Sequence, residues 1–169
     1  MKKRELPGLG LLVPAAAWIC FLYKLAAYVA KPRVCSAAEM TERIKRHGFW
    51  RGYDEMEKEE LLISAYDGYA LHATYIPAEN PGKRYVIISH GYTGNRIGSL
   101  KYVHLFRELG YNCLIYDNRG HGDNERAVCT MGKKEHRDLL AVIDDVYRRF
   151  GGDIYLGLHG ESLGAALQI

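Results

Sequence analysis

Closely spaced cysteines are missing from this sequence. Its four cysteines, Cys20, Cys35, Cys113 and Cys129, form no C-x-x-C pair. Zinc-binding and thiol-redox motifs need such spacing, so no metal site is predicted. Cys20 lies in an apolar run and Cys113 in a predicted strand, so we expect free thiols that are buried in the fold.

The sequence also lacks a strong charge of either sign. Its formal net charge is +3, with 48% hydrophobic and 25% charged residues, which is ordinary for one modest globular domain of 169 residues. The basic excess lies near the N-terminus and forms no stripe of interleaved cations and aromatic residues. A nucleic-acid-binding function is therefore not indicated.

Charged residues are absent from residues 7–23, and after Lys24 the apolar character resumes as far as Ala30. About 20 residues of helix cross a bilayer core, and a lysine near one end can extend toward the interface. Residues 1–33 are therefore predicted to form a single-pass membrane anchor that contacts the lipid bilayer through residues 7–30.

Two alternatives to an anchor remain open. A cleaved signal peptide needs a small-x-small site, and a cut after Ala30 would place Tyr28 at the third position back. A buried soluble helix is disfavoured by Pro14 and by the scarcity of polar residues. The orientation is also open, because the cation count favours a cytoplasmic C-terminal flank and the short basic N-terminus favours the reverse.

Residues 34–60 are predicted to be a linker with a short helix. Ser36 and Glu39 have the spacing of a capping box, and Gly48 is a typical helix stop. The mostly acidic run at residues 54–60 is expected to be a solvated turn.

Residues 61–169 have the pattern of an α/β domain. Two short strands flank Asp67-Gly68 as in a hairpin, and the later strands alternate with helices, which implies right-handed crossovers and a mainly parallel sheet. The predicted strands are "LLISAY", "ALHATYIP", "RYVIIS", "NCLIYD" and "DIYLGLH". The predicted helices are residues 99–109, capped by Ser99, and residues 135–150.

Helical spacing predicts which side chains of these two helices face inward. They are Val103, Phe106 and either Leu105 or Leu109 in the first helix, and Leu139, Ile143, Val146 and Phe150 in the second.

Three glycine-rich stretches follow predicted strands: "HGYTGNR", "DNRGHGDN" and "HGESLG". Chemistry in such sheets collects at the carboxyl ends of the strands. Neither the P-loop pattern nor G-x-G-x-x-G occurs in the first stretch, so a nucleotide site is not indicated.

The third stretch is a G-x-S-x-G sequence centred on Ser162, with a strand before it and a helix after it, as a nucleophile elbow requires. Such an elbow requires small residues at positions 160 and 164, which are Gly160 and Gly164 here, because the tight turn brings these two positions close together. The backbone N–H groups of Leu163 and Tyr92 are the predicted oxyanion donors. The alternative is a glycine-rich turn with an incidental serine.

The first two stretches also carry histidines and charged residues. His90 is expected to satisfy nearby backbone groups, and a catalytic role is the alternative. The residues Asp117, Arg119, His121 and Asp123 resemble a metal or acid–base cluster. We favour a structural turn in which Asp117 and Arg119 form an ion pair with each other.

Together, the strand-HG-x-x-G, strand-D-x-R-G-x-G and strand-G-x-S-x-G motifs resemble the α/β-hydrolase superfamily, over roughly residues 58–169. The chain is similar in particular to bacterial membrane-anchored hydrolases of the serine-aminopeptidase-like group. The resemblance implies the N-terminal half of an α/β-hydrolase sheet. It implies that Ser162 is the nucleophile and that Tyr92 and Leu163 are the oxyanion donors. It also implies an enzyme without a cofactor, which hydrolyses esters, amides or thioesters of small-molecule or peptide acyl substrates through an acyl-enzyme.

The sequence departs from this family after the serine. The family places the acid and the histidine downstream of the nucleophile, but only Leu, Gly, Ala, Gln and Ile follow Ser162. We therefore expect a truncated gene product or a fragment that is inactive alone, with residues 153–159 as an exposed edge strand. The alternative is a non-catalytic module, either a degenerate hydrolase or one half of a split assembly.

Deleting residues 1–33 is expected to move the expressed protein out of the membrane fraction, because these residues carry the whole predicted anchor. The measurement is the partition of the full chain and the deletion variant between pellet and supernatant after a carbonate wash. A full chain that stays in the supernatant would show that the anchor interpretation is wrong.

Overall fold

The computed structural model describes the backbone of residues 9–169 and the side chains from residue 15 onward. Residues 1–8, where the predicted anchor begins, lie outside the described residues. The first helix, α1, spans Leu9–Ala30. Seven of its large apolar side chains are more than half exposed: Trp18, Ile19, Phe21, Leu22, Tyr23, Leu25 and Tyr28. In the portion of the chain that the structure describes, no helix has the length and apolarity needed to cross a membrane.

The second helix, α2, spans Ala37–Arg46 and confirms the predicted capping box. The Glu39 N–H donates to Ser36 Oγ at 3.2 Å, and the Ser36 N–H donates to Glu39 Oε2 at 3.0 Å. Gly48 follows the helix with φ of 78°, a conformation that glycine adopts without strain. Met40 and Ile44 are buried on the inner face of α2.

Five strands form one mixed sheet in the order β1-β2-β4-β3-β5. They are β1 Glu59–Ser64, β2 Ala70–Ile76, β3 Arg84–Ser89, β4 Asn112–Tyr116 and β5 Tyr155–Gly160. The predicted initial hairpin is confirmed, since β1 pairs antiparallel with β2, and β4, β3 and β5 pair in parallel as expected. The antiparallel pairing of β2 with β4 was not predicted. The first strand also begins at Glu59, within the segment predicted to be a solvated turn. At the far side of the described sheet, β5 pairs with β3 alone.

Three helices follow in the α/β part: α3 Leu100–Glu108, α4 Glu135–Phe150 and α5 Leu163–Ala166. The α4 bounds and the inward face of α4 agree with the prediction. The cap predicted at Ser99 is wrong, because Asn95 caps a preceding 3-10 turn, Arg96–Ser99, by accepting the Ile97 N–H. Leu105 and Leu109 are more than half exposed, so neither faces inward as expected.

The hydrophobic core has one layer on each face of the sheet. On one face, Leu114 and Ile87 pack with residues of α4 and α5, including Leu139 and Leu163. On the other face, alternate residues of the same strands pack with α2 and α3. The period of two in a strand sends neighbouring residues to opposite faces, which explains why the consecutive residues Val86, Ile87 and Ile88 of β3 are all apolar and buried. The thiols of Cys113 and Cys129 are buried as expected, whereas that of Cys20 is exposed and that of Cys35 is half-buried.

Buried ion pairs hold the loops at the carboxyl ends of β3 and β4. The Arg96 guanidinium pairs with Asp117, which is fully buried, and with Asp123 at 2.8 Å. The Arg96 N–H also donates to Asp117 Oδ1 at 2.6 Å. Burial raises the pKa of Asp117, and the Arg96 charge opposes this change.

Arg119 pairs instead with Asp138 at 2.6 Å and with Asp67 at 2.9 Å. The expected structural turn is therefore present, but the predicted ion pair between Asp117 and Arg119 is not, because each pairs with a residue of another segment. Among the residues the structure describes, no group of three or more His, Cys, Asp or Glu could hold a metal ion.

Replacing Arg96 by methionine is expected to lower the free energy of unfolding by about 3–5 kcal/mol, because it leaves the Asp117 carboxylate buried without its cation. Arg148→Met is the matched control, since the Arg148 side chain is 71% exposed and Arg149 still pairs with Asp145. This control should cost less than about 0.5 kcal/mol. Urea unfolding of the three proteins measures both effects, and equal midpoints for the two variants would contradict the account.

Candidate active site

Ser162 lies on a sharp turn between β5 and α5. The strand ends at Gly160 and the helix begins at Leu163. The Ser162 backbone has φ of 52° and ψ of −114°, which is a strained conformation for a residue with a side chain. The Ser162 side chain is exposed and makes no capping hydrogen bond to the helix. We call residues 160–164 the elbow.

The two elbow glycines are packed too closely for any side chain. A Cβ atom on Gly164 would lie 2.2 Å from the Ser89 carbonyl oxygen and 2.8 Å from the His90 carbonyl oxygen. A Cβ atom on Gly160 would lie 2.4 Å from the Ala165 nitrogen. The first turn of α5 therefore rests directly on the backbone at the end of β3.

The loop after β3, residues 90–95, contacts the elbow, and we call it the HG loop. A Cβ atom on Gly91 would lie 3.3 Å from the Glu161 carbonyl oxygen and 3.6 Å from Ser162 Cβ. Within the described part of the chain, neither the Tyr92 N–H nor the Leu163 N–H donates to a protein acceptor. The structure thus brings the HG loop against the predicted nucleophile, and the Tyr92 and Leu163 N–H groups have no acceptor among the described residues.

His90 has a structural role. Its side chain is 3% exposed, its Nδ1–H donates to the Gly91 carbonyl at 2.8 Å, and its Nε2 accepts the Asn118 N–H at 2.9 Å. Burial lowers the pKa of His90 to about 3, so the ring is neutral at ordinary pH. With both ring nitrogens engaged, His90 links the HG loop to the loop after β4 and is not available as a base.

Two other histidines that precede Ser162, His121 and His159, lie in different surroundings. His121 Nδ1–H donates to the Arg119 carbonyl at 2.8 Å, and burial lowers the His121 pKa. His159 points toward α3, where its ring lies 4.3 Å from that of Tyr102 and 5.4 Å from that of Phe106. This packing holds the His159 ring against α3.

A cavity of about 340 Å³ opens beside the HG loop and the elbow. Met40 and Ile44 of α2 form part of its wall, and Lys101 and Glu161 line it on the other side, joined by an ion pair of 2.8 Å. The sequence analysis missed α2 and this ion pair as parts of the site. Nothing in the spacing of Lys101 and Glu161 signals the contact, because Lys101 lies on α3 and Glu161 in the elbow, and the two meet only once β5 has paired with β3.

The α/β part of the chain matches a known family. Residues 80–169, more than half of the chain, match the family model for serine aminopeptidase, S33. The Bacillus subtilis (strain 168) protein YqkD is 32% identical over 164 residues, which cover 96% of this chain and 53% of YqkD.

Solved structures show the same fold. The Pyrococcus furiosus esterase Pf2001 is 28% identical, with a TM-score of 0.64 over 82% of this chain and 48% of the esterase. XC6422 from Xanthomonas campestris, described as an a/b serine hydrolase without lid, is 22% identical, with a TM-score of 0.58 over 66% of this chain and 54% of XC6422. The chain thus spans about half the length of the proteins that it resembles.

Gly164→Ala is expected to lower the free energy of unfolding by about 3 kcal/mol or more, or to prevent soluble expression, because the new methyl group has no space against Ser89. The matched control is Gly157→Ala in β5, where the nearest atom to an added Cβ lies 3.8 Å away. That change should alter stability by less than about 1 kcal/mol. Equal unfolding midpoints for the two variants would show that Gly164 is not packed as closely against Ser89 as described.

Proposed function

Since this chain belongs to the serine aminopeptidase S33 family and has the α/β-hydrolase fold, we propose that it forms the nucleophile-bearing part of a serine hydrolase. The proposed substrates are esters, amides or thioesters of small-molecule or peptide acyl groups. The reaction passes through an acyl-enzyme and needs no cofactor.

The observation that carries this proposal is the meeting of the elbow with the HG loop. Ser162 is exposed and strained, and Gly91 lies against it, with free N–H groups at Tyr92 and Leu163. An exposed Oγ, a strained backbone and unpaired N–H donors at the carboxyl end of a strand are what acyl transfer requires. The esterase Pf2001 among the structural relatives also supports a hydrolase.

In the proposed reaction, Ser162 Oγ attacks the substrate carbonyl carbon while a histidine takes the hydroxyl proton. The carbonyl oxygen becomes an oxyanion that accepts hydrogen bonds from the Tyr92 and Leu163 N–H groups. The leaving group departs with the proton from the histidine, and water then hydrolyses the acyl-enzyme by the same proton transfers.

The histidine and its acid partner are proposed to follow Ser162 in the full-length gene product, in the chain order that this family uses. Residues 163–169 contain neither. Of the three upstream histidines described above, His90 is engaged at both ring nitrogens, His121 donates through Nδ1–H to the Arg119 carbonyl, and His159 is packed against α3. Residues 1–169 alone are therefore proposed to be nearly inactive.

The membrane anchor is a further part of the proposal. Its support is the uncharged run of residues 7–23 and the exposure of large apolar side chains along α1. An exposed apolar helix surface is stabilised by contact with lipid rather than water. We propose a single-pass attachment to the bilayer, with the side of the membrane left open.

Ser162 is expected to react with a fluorophosphonate probe in the full-length gene product, and Ser162→Ala should abolish the labelling. Ser64→Ala, which removes a serine hydroxyl on β1 far along the sheet from the elbow, is the control that should label normally. Residues 1–169 alone should label weakly, because removing triad members typically costs several orders of magnitude.

Two results would contradict this account. A full-length gene product that does not label at Ser162 would favour the non-catalytic alternative, a degenerate hydrolase or half of a split assembly. Robust labelling of residues 1–169, lost when His90, His121 or His159 is replaced, would show that the base lies upstream.

A further inference from the structure

The segment that joins α1 to α2 is bonded to the HG loop. We call residues 29–35 the N-terminal strap. The Tyr92 hydroxyl donates to the Val29 carbonyl, in the last turn of α1, at 2.6 Å. The Cys35 N–H donates to the Thr93 carbonyl at 2.9 Å. Two successive residues of the HG loop are therefore held by the two ends of the strap.

Two more hydrogen bonds hold the strap, one from the HG loop and one from the loop between β4 and α4. The Asn95 Nδ2 donates to the Cys35 carbonyl at 3.1 Å, and Asn95 is 1% exposed. Cys35 thus both donates to the HG loop and accepts from it. The Cys129 N–H donates to the Ala30 carbonyl at 2.8 Å, which ties the strap to the loop between β4 and α4 as well.

The HG loop needs support because its backbone is strained. Thr93 has φ of 65°, in the left-handed region that a β-branched side chain strongly disfavours. Such conformations persist only where the surrounding structure fixes them. The strap bonds at this strained position: the Thr93 carbonyl accepts the Cys35 N–H, and the adjacent Tyr92 hydroxyl donates to the Val29 carbonyl.

We propose that the Tyr92 side chain is a positioning group for its own backbone N–H, and that the N-terminal strap is the surface against which it is positioned. This inference rests on the oxyanion role proposed above for the Tyr92 N–H. Oxyanion donors contribute to catalysis when they are held in place before the reaction. Through the strap, the segment that precedes the hydrolase sheet helps to position the oxyanion donor of the site.

Tyr92→Phe tests the proposal because it removes the hydroxyl and keeps the ring. Tyr66→Phe is the matched control, since Tyr66 is an exposed tyrosine whose hydroxyl donates to Asp144, away from the HG loop. Amide hydrogen exchange is measured on residues 1–169 in detergent micelles. Exchange at residues 91–95 should quicken at least about fivefold in Tyr92→Phe and stay unchanged in Tyr66→Phe, with similar melting temperatures for both.

The second measurement uses the full-length gene product and a short-chain ester. Tyr92→Phe should lower kcat at least about fivefold with KM changed less than about twofold, because the Tyr92 N–H that it mispositions contacts the oxyanion only in the transition state. A merely structural role would lower the melting temperature or the yield without separating kcat from KM.

Unchanged exchange at residues 91–95 in Tyr92→Phe would overturn the proposal. Faster exchange with unchanged kcat would also overturn it, because the strap would then hold the loop without affecting the oxyanion donor. Failure of the full-length product to label at Ser162 would overturn the proposed function instead. The exchange measurement would still decide whether the strap holds the loop.

Discussion

Gly164 has no space for a side chain, and the arrangement of the candidate site depends on this contact. Its Cα faces the carbonyl oxygens of Ser89 and His90, where an added Cβ would lie 2.2 Å and 2.8 Å away. The start of α5 is therefore pressed onto the end of β3, and the chain must turn sharply within the elbow. The strained backbone of Ser162 and the exposure of its side chain follow from that turn.

The loops around this contact are fixed by buried polar groups. His90 is hydrogen-bonded to the Asn118 N–H at 2.9 Å, and the Asn118 side chain donates to the His90 carbonyl at 3.0 Å. The Arg96 and Asp117 pair joins the turn that directly follows the HG loop to the loop after β4. A buried polar or charged group is strongly destabilising when its partner is lost. Arrangements of the loops that separate these partners are therefore unfavourable. The HG loop consequently faces the elbow in a defined position.

Local patterns predicted much of this fold, and long-range contacts account for what they missed. The continuous apolar run of β3 and the spacing in α4 are local signals, and both elements were predicted correctly. The antiparallel pairing of β2 with β4 joins residues distant in sequence, which periodicity does not report. The same limit applies at the site. The G-x-S-x-G sequence predicts the turn at Ser162, but no pattern predicts that Tyr92 bonds to Val29 or that Lys101 pairs with Glu161.

The central claim is that the elbow and the HG loop together bind the oxyanion of an acyl-transfer reaction. Its most direct test is a crystal structure of the full-length gene product after reaction with a phosphonate ester. The account predicts phosphorus bonded to Ser162 Oγ, with one phosphoryl oxygen about 2.7–3.1 Å from both the Tyr92 and the Leu163 nitrogen. An adduct on another residue, or a phosphoryl oxygen directed away from these two N–H groups, would contradict it.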